Sequence, residues 1–378
     1  MHFGVQQVFG RQAANYTCVL VLDRRGSADV EIERVEALEA WRYGAPGQFM
    51  TIPATELGDD NWQFADAVTR DVFARVRAAC PHELGQVAEI FVGVQTSADA
   101  IYIFRAAAET ATTVTLGWDG RDWPIERGIL RPCMLDAPLL PYARAEPNRW
   151  MIFPYELVAG ARRTEARLIP PADMARQYPG CWAYLNARRA ELERRNITGG
   201  ANGTQQFYQF GRSQSLTKFD SPKIILPILS LEARYAYDED NITVTGGGNG
   251  PYYMIRPRPG AAVSNAFLLA VLHHPLSEAM IRTNTSPFRG GYYSHGKQFI
   301  EHLPVPAVSD ADRAAIEQLV SDMIAANDAA KNARTPHQRS LQERNATALR
   351  DQIEARVTGL FGLTPADMAV VRAVPVPA

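Results

Sequence analysis

The alternation of apolar and polar positions divides the chain into stretches of different texture. Near the start, Tyr16-Thr17-Cys18-Val19-Leu20-Val21-Leu22 is an apolar, β-rich run that ends in the polar turn Asp23-Arg24-Arg25-Gly26-Ser27. Such a run is expected to be an inner strand buried on both faces. One strand cannot make a sheet, so residues 1–83 are expected to be the tail of an α/β domain, followed by a linker. Phe64, Val68, Val72, Phe73 and Val76 recur at helical spacing, which predicts a helix over 64–79 that stops before Pro81.

From about residue 84 the runs shorten. Residues 90–94, 101–104, 150–153, 223–226, 242–244 and 252–255 are rich in Ile, Val, Phe and Tyr and are separated by Pro, Gly and Asn. They predict short strands. An arginine-rich helix is expected over roughly 179–195, with Arg188, Arg189, Arg194 and Arg195. Another is expected over 264–283, where Phe267, Leu268, Val271 and Leu272 give the apolar face. Two more are predicted over 309–329 and 340–360. There is no internal repeat. The fold class that follows is mixed α+β: a remnant of a Rossmann-like sheet, an α+β domain over 84–306, and a helical segment over 307–378.

With 46% hydrophobic and 21% charged residues, the chain has the composition of a globular protein that buries a core. No run approaches twenty apolar residues, and the N-terminus has neither a basic nor an apolar leader region, so no membrane and a cytoplasmic setting are expected. Cys18, Cys80, Cys133 and Cys181 are too dispersed for a zinc cluster or a disulfide framework. Net charge is −2, but it is unevenly spread. Residues 1–120 carry 9 basic and 16 acidic side chains, residues 121–300 carry 22 and 15, and residues 301–378 carry 8 and 10. A basic middle is compatible with a polyanion bound on one face, though uneven surface charge with no partner accounts for it more readily.

Most catalytic patterns are absent. The glycine cluster Gly246-Gly247-Gly248-Asn249-Gly250 has no nucleotide-binding order and suits a flexible loop. His273 and His274 are adjacent, so on a helix they diverge rather than share a metal; a helix end before Pro275 accounts for them. No zinc-protease, nucleophile-elbow or nuclease motif occurs. Nor does an Asp/Asn-Pro-Pro-Tyr/Phe tetrapeptide, the element that holds a target amino group in aminomethyltransferases.

Two polar, aromatic segments remain. Gly211-Arg212-Ser213-Gln214 is followed by Phe219-Asp220-Ser221-Pro222-Lys223. The second is Ser286-Pro287-Phe288-Arg289-Gly290-Gly291-Tyr292-Tyr293-Ser294-His295-Gly296-Lys297-Gln298. Arg, Gln, Ser and Lys reach base edges and phosphates, tandem glycines admit close backbone approach, and tyrosines stack. A surface loop with buried tyrosine anchors explains the same residues.

Taken in order, these segments resemble the TaqI-like specificity domain of adenine-N6 DNA methyltransferases and type IIG restriction–modification enzymes. Phe3-Gly4, Gln7-Val8-Phe9 and Tyr16-Thr17-Cys18 resemble the end of the methyltransferase catalytic domain. Gly93-Val94-Gln95-Thr96-Ser97-Ala98-Asp99 resembles the opening motif of the recognition domain. Gly128-Ile129-Leu130-Arg131-Pro132, Ile152-Phe153-Pro154-Tyr155, the 178–195 helix, Gly211–Gln214, Pro222-Lys223-Ile224-Ile225, Arg289–Tyr293 and Leu303-Pro304-Val305-Pro306 follow. Residues 353–364 resemble the C-terminal helix. Ser97 stands where that family has Gly, and Cys133-Met134-Leu135-Asp136 lacks its Arg/Gly continuation.

The resemblance implies sequence-specific recognition of double-stranded DNA, without methyl transfer by this chain itself. Thr96, Arg131, Arg212, Ser213, Gln214, Lys223, Arg289, Gly290, Gly291, Tyr292, Tyr293 and Lys297 are the implied DNA contacts. No catalytic, metal or cofactor residue is implied here. S-adenosylmethionine would belong to the complete enzyme, bound by an upstream or separately encoded catalytic domain. The alternatives are the product of a truncated methyltransferase gene, and an inert or protein-interaction remnant.

Overall fold

The computed structural model describes residues 8, 18–21, 24–35, 37–57, 65–160, 164–195, 197, 206–246, 251–285, 288 and 290–375. It is α+β, with several small sheets and a helical C-terminal region. Two compact units emerge. One comprises residues 90–226 and 236–256; the other comprises 1–89, 227–235 and 257–378. Residues 257–306, grouped with 84–256 in the sequence reading, fall with the C-terminal helices.

In the first unit, Leu130–Met134 and Arg149–Ile152 pair antiparallel, with Met151 opposite Arg131 and Trp150 opposite Pro132. Ile103–Phe104 and Thr243–Val244 complete that sheet. A second sheet runs in the order Ala236–Asp238, Lys223–Pro227, Tyr252–Pro257, Ala88–Val92. The hairpin Thr113–Trp118/Arg121–Glu126 lies beside the Pro179–Ala187 helix, because Glu126 caps that helix. Its carboxylate accepts from the amides of Gly180 (2.8 Å) and Cys181 (3.0 Å).

Aromatic side chains fill the core of this unit, each burial contributing on the order of 2 kcal/mol. Their hydroxyls are partnered: Tyr102 donates to the Tyr208 carbonyl (2.8 Å), Tyr184 to Ile101 (3.0 Å) and Tyr208 to Ile169 (2.6 Å). Loops are thereby tied to the core through their own carbonyl groups.

In the other unit, capping sets the helix starts. Ser264, Ser309, Thr335 and Thr364 accept amides three residues on, and Pro275, Pro336 and Pro365 occupy first turns. The helices span Ala67–Ala79, Asn265–Leu272, Pro275–Asn284, Asp310–Lys331, Pro336–Leu360 and Pro365–Ala373. Arg75 pairs with Asp367, joining the first of these to the last.

Several expectations are corrected. Val19, Leu20 and Val21 are 43%, 60% and 80% exposed and lie outside any strand, because the described residues supply no flanking strand to cover them. The next strands along the chain form the antiparallel hairpin Asp29–Arg34/Gln48–Pro53. Residues 101–104 divide into a helical turn, Asp99–Tyr102, and a short strand, because the Thr96 hydroxyl accepts the Ala98 amide (2.9 Å) and starts the turn. The arginine-rich helix breaks at Arg188. The 264–283 helix breaks at His274, since Pro275 has no amide to continue it.

Candidate nucleic-acid interface

The Gly211–Gln214 segment is a loop with a fixed seat. The Gly211 amide donates to the Thr96 carbonyl (3.0 Å), and the Arg212 amide donates to Gln95 (3.1 Å). Beneath it, Phe210 packs edge-on to Tyr102, Tyr155 and Phe153, with centroids 5.0, 5.2 and 5.9 Å away, and its amide donates to the Tyr155 hydroxyl (2.6 Å). Ser213 and Gln214 are exposed, and Arg212 is half-buried with one guanidinium nitrogen on the Gly211 carbonyl (2.9 Å). A loop whose backbone is tied down and whose polar side chains point outward suits recognition, because little ordering remains to be done on binding.

Cations surround this loop. Arg131 lies 3.9 Å over the Phe153 ring and pairs with Asp220 at 2.7 Å. Lys218 and Arg256 both lie over Phe91, at 5.3 and 5.4 Å. Arg256 also donates to the Ser221 hydroxyl (3.3 Å) and reaches the Lys218 carbonyl (3.4 Å). Phe91 in turn meets Phe219 edge-on at 6.1 Å, so these three cations rest on two aromatic rings, Phe153 and Phe91. Lys218 and Arg256 were not singled out in the sequence. Lys218 lies between the two halves of the segment that was, and its position over an aromatic ring has no sequence signature. Arg256 sits on a strand far along the chain.

Two expected contacts in this unit are not surface groups. Thr96 is fully buried; its hydroxyl is engaged with Asp99 and the Ala98 amide, and its carbonyl is doubly occupied. Burial raises the Asp99 pKa, against the pull of that hydroxyl. Lys223 is likewise fully buried and ion-paired with Asp238, itself buried and accepting the amides of Asp240 (2.9 Å) and Ile242 (3.0 Å). Desolvation lowers the Lys223 pKa, opposed by Asp238. Thr96 seats the loop through its carbonyl, while Lys223 is held by Asp238 and the Phe219 carbonyl; both side chains are buried.

The second segment forms a tight turn in the other unit. The Phe288 amide donates to the Tyr292 carbonyl (2.6 Å), and Gly290 and Gly291 have φ of 85° and 78°. That left-handed pair explains the tandem glycine without any ligand. Tyr292 is 43% exposed at the turn, and Gly290 is exposed while Gly291 is buried. Tyr293 is a buried anchor: its hydroxyl donates to Glu278 (2.7 Å) and its ring lies 4.7 Å from that of His295. Lys297 is exposed, with Glu301 3.6 Å away. Arg289, Ser286 and Pro287 lie outside the described residues, as do Phe3, Gly4, Tyr16, Phe64 and Gly247–Gly250.

Among the described residues, no group of three or more His, Cys, Asp or Glu side chains could hold a metal ion, and no helix is long and apolar enough to cross a membrane. Gly246 packs backbone to backbone on Gly93; a Cβ there would lie 2.4 Å from the Gly93 carbonyl oxygen. Its role is close strand approach, not a phosphate cradle.

No family model matches the chain. In sequence it is 25% identical over 323 residues to the type II restriction enzyme and methyltransferase RM.Eco57I of Escherichia coli, covering 82% of this chain and 32% of that protein. In structure it is similar to the type IIL restriction–modification enzyme MmeI, solved in complex with DNA: TM-score 0.51, 10% identity, 92% of this chain and 41% of that one. The chain thus spans about a third of the first relative and two-fifths of the second. It is related in sequence to a type II restriction–modification enzyme and shares fold with another.

Proposed function

We propose that this chain is the DNA-recognition portion of a type IIG-like restriction–modification methyltransferase, and that the Gly211–Gln214 loop reads bases. The observation that carries this is the loop itself: exposed Ser213 and Gln214 on a backbone fixed to Gln95 and Thr96, flanked by Arg131, Arg212, Lys218 and Arg256. The relationship to RM.Eco57I and the fold shared with a DNA-bound restriction–modification enzyme support it. The cations would neutralise phosphates and set orientation. Gln214 can donate and accept at once, which matches the adenine edge in the major groove. Arg131 would exchange its partly exposed Asp220 partner for a phosphate. Methyl transfer to adenine, and the S-adenosylmethionine it needs, would be supplied by an upstream or separately encoded catalytic domain, since this chain has no Asp/Asn-Pro-Pro-Tyr/Phe tetrapeptide to hold the target amino group.

The test is fluorescence anisotropy with a pool of random duplexes at rising salt, for the unmodified chain and for Arg212→Ala, Lys218→Ala and Arg256→Ala. Binding that weakens with salt, with a shallower dependence in each variant, is expected. Binding absent at low salt, or indifferent to all three substitutions, contradicts the proposal and favours a protein-interaction role.

A further inference from the structure

We infer that Arg195 is a positioning residue that sets the geometry of the Gly211–Gln214 loop and thereby the sequence selectivity of the DNA reading proposed above, on which this inference rests. Arg195 lies one residue past Arg194, the C-cap of the Arg189–Glu193 helix, and its side chain serves other segments. Its Nη1 donates to the Thr96 carbonyl (2.6 Å) and its Nη2 to the Phe207 (2.6 Å) and Gln209 (2.9 Å) carbonyls, while Nε returns to Leu192 (2.9 Å). The guanidinium also lies 5.4 Å over the Tyr102 ring, whose hydroxyl donates to Tyr208. One side chain therefore fixes the carbonyl that seats the loop and two carbonyls of the chain leading into it. Thr96 accepts Arg195 and the Gly211 amide through the same oxygen, so the clamp and the seat share an atom.

A planar fork with donors on three nitrogens meets this geometry; a lysine ammonium, a single compact donor centre, cannot span it. The charge of Arg195 is not needed for this role, since its polar partners, the Leu192, Thr96, Phe207 and Gln209 carbonyls and the Tyr102 hydroxyl, are uncharged oxygens. That separates positioning from phosphate neutralisation. Arg195→Lys keeps the charge and removes the fork.

Two measurements on the full chain test this. In hydrogen exchange, Arg195→Lys should speed exchange at the Gly211 and Arg212 amides at least about tenfold while leaving the hairpin over 113–126 unchanged. In selection from a random duplex pool, the amount of DNA retained and its salt dependence should persist, while the enriched motif blurs at the positions the loop reads. Gly211→Ala, which displaces the same loop without touching Arg195, should blur the same positions. Unchanged exchange at both amides overturns the inference. So does a uniform rise of exchange across the unit, which would make Arg195 a general support. If the unmodified chain retains DNA without any motif, the DNA-reading proposal fails on that result alone, and the selectivity role of Arg195 falls with it; the exchange data then decide only whether Arg195 seats the loop.

Discussion

The Ser97 hydroxyl oxygen fills the space that a side chain at Gly211 would need: a Cβ on Gly211 would lie 1.9 Å from it. Ser97 itself has φ of 55°, the left-handed region that glycine tolerates best. The turn is therefore kept with serine in the place where the similar family has glycine, and the serine in turn requires glycine at 211. Gly211→Ala should destabilise the unit by about 1–3 kcal/mol, the usual range for overpacking. Ser97→Gly alone should be near neutral, since relief of about 1 kcal/mol of backbone strain is offset by added unfolded-state freedom. In the double variant the next neighbour of the new Cβ is the Thr96 oxygen at 3.5 Å, an ordinary contact, so most of the loss should return. Denaturant unfolding of all four proteins checks this; strictly additive effects would refute the coupling.

Lys223 and Asp238 form an ion pair with neither side chain exposed. Removing one partner leaves a buried charge that the surroundings cannot solvate, so Lys223→Ala should cost about 3–5 kcal/mol. An expected phosphate ligand would instead show lost DNA affinity with little change in stability. Thermal unfolding and DNA binding measured on the same variant separate the two.

Acid should destabilise the unit that holds His274 and His295. His274 Nδ1 accepts the Leu276 amide (3.2 Å) at the start of the Pro275–Asn284 helix, and Nε2 meets the Thr358 hydroxyl (2.9 Å). Burial pulls both histidines down to about 3. With folded values below the unfolded value of about 6.5, the unfolded chain binds more protons between the two. The stability they contribute is complete above pH 6.5 and declines as pH falls from there toward 3. His274→Asn can still cap the helix and does not titrate, so its melting temperature should fall less steeply with acidification. Parallel pH profiles for the two proteins would contradict this.

The sequence made several sheet strands and the paired C-terminal helices legible because apolar periodicity and capping residues are local, but not the hairpins Thr113–Trp118/Arg121–Glu126 and Tyr155–Ala159/Thr164–Leu168, whose strands mix polar and charged residues. Lys223–Leu226, Tyr252–Ile255 and the helix after Ser309 follow from neighbours in the chain. The break at Pro275 was marked by the proline itself, whereas that at Arg188 was less legible, since composition continues across it. At the candidate site, Gly211–Gln214 stood out by residue type. That Thr96 and Lys223 face inward did not, because a polar side chain in a motif has the same letter whether it meets water or a buried partner; for Tyr293 the buried anchor was one of two readings. Arg195 was visible only as one arginine among four; its fork serves carbonyls about 100 residues away in one direction and about 13 in the other, a fact of tertiary structure.

Aromatic support should make the cations around the loop unequal. Arg131 is stacked on Phe153 and paired with Asp220, so Asp220→Asn should free its charge and strengthen salt-sensitive DNA binding several-fold at low salt. Affinity measured at two salt concentrations reads this directly; weaker binding would mean that Asp220 positions Arg131 for its contact.

The most direct test of the central claim is selection of bound duplexes from a random pool, with sequencing of the retained fraction, for the unmodified chain and for Gln214→Ala. A working recognition loop predicts one short enriched motif, and relaxed choice at one position of it when Gln214 is removed, with overall retention largely kept. Retention without any motif, or a motif that survives Gln214→Ala unchanged, would contradict the assignment of base reading to the Gly211–Gln214 loop.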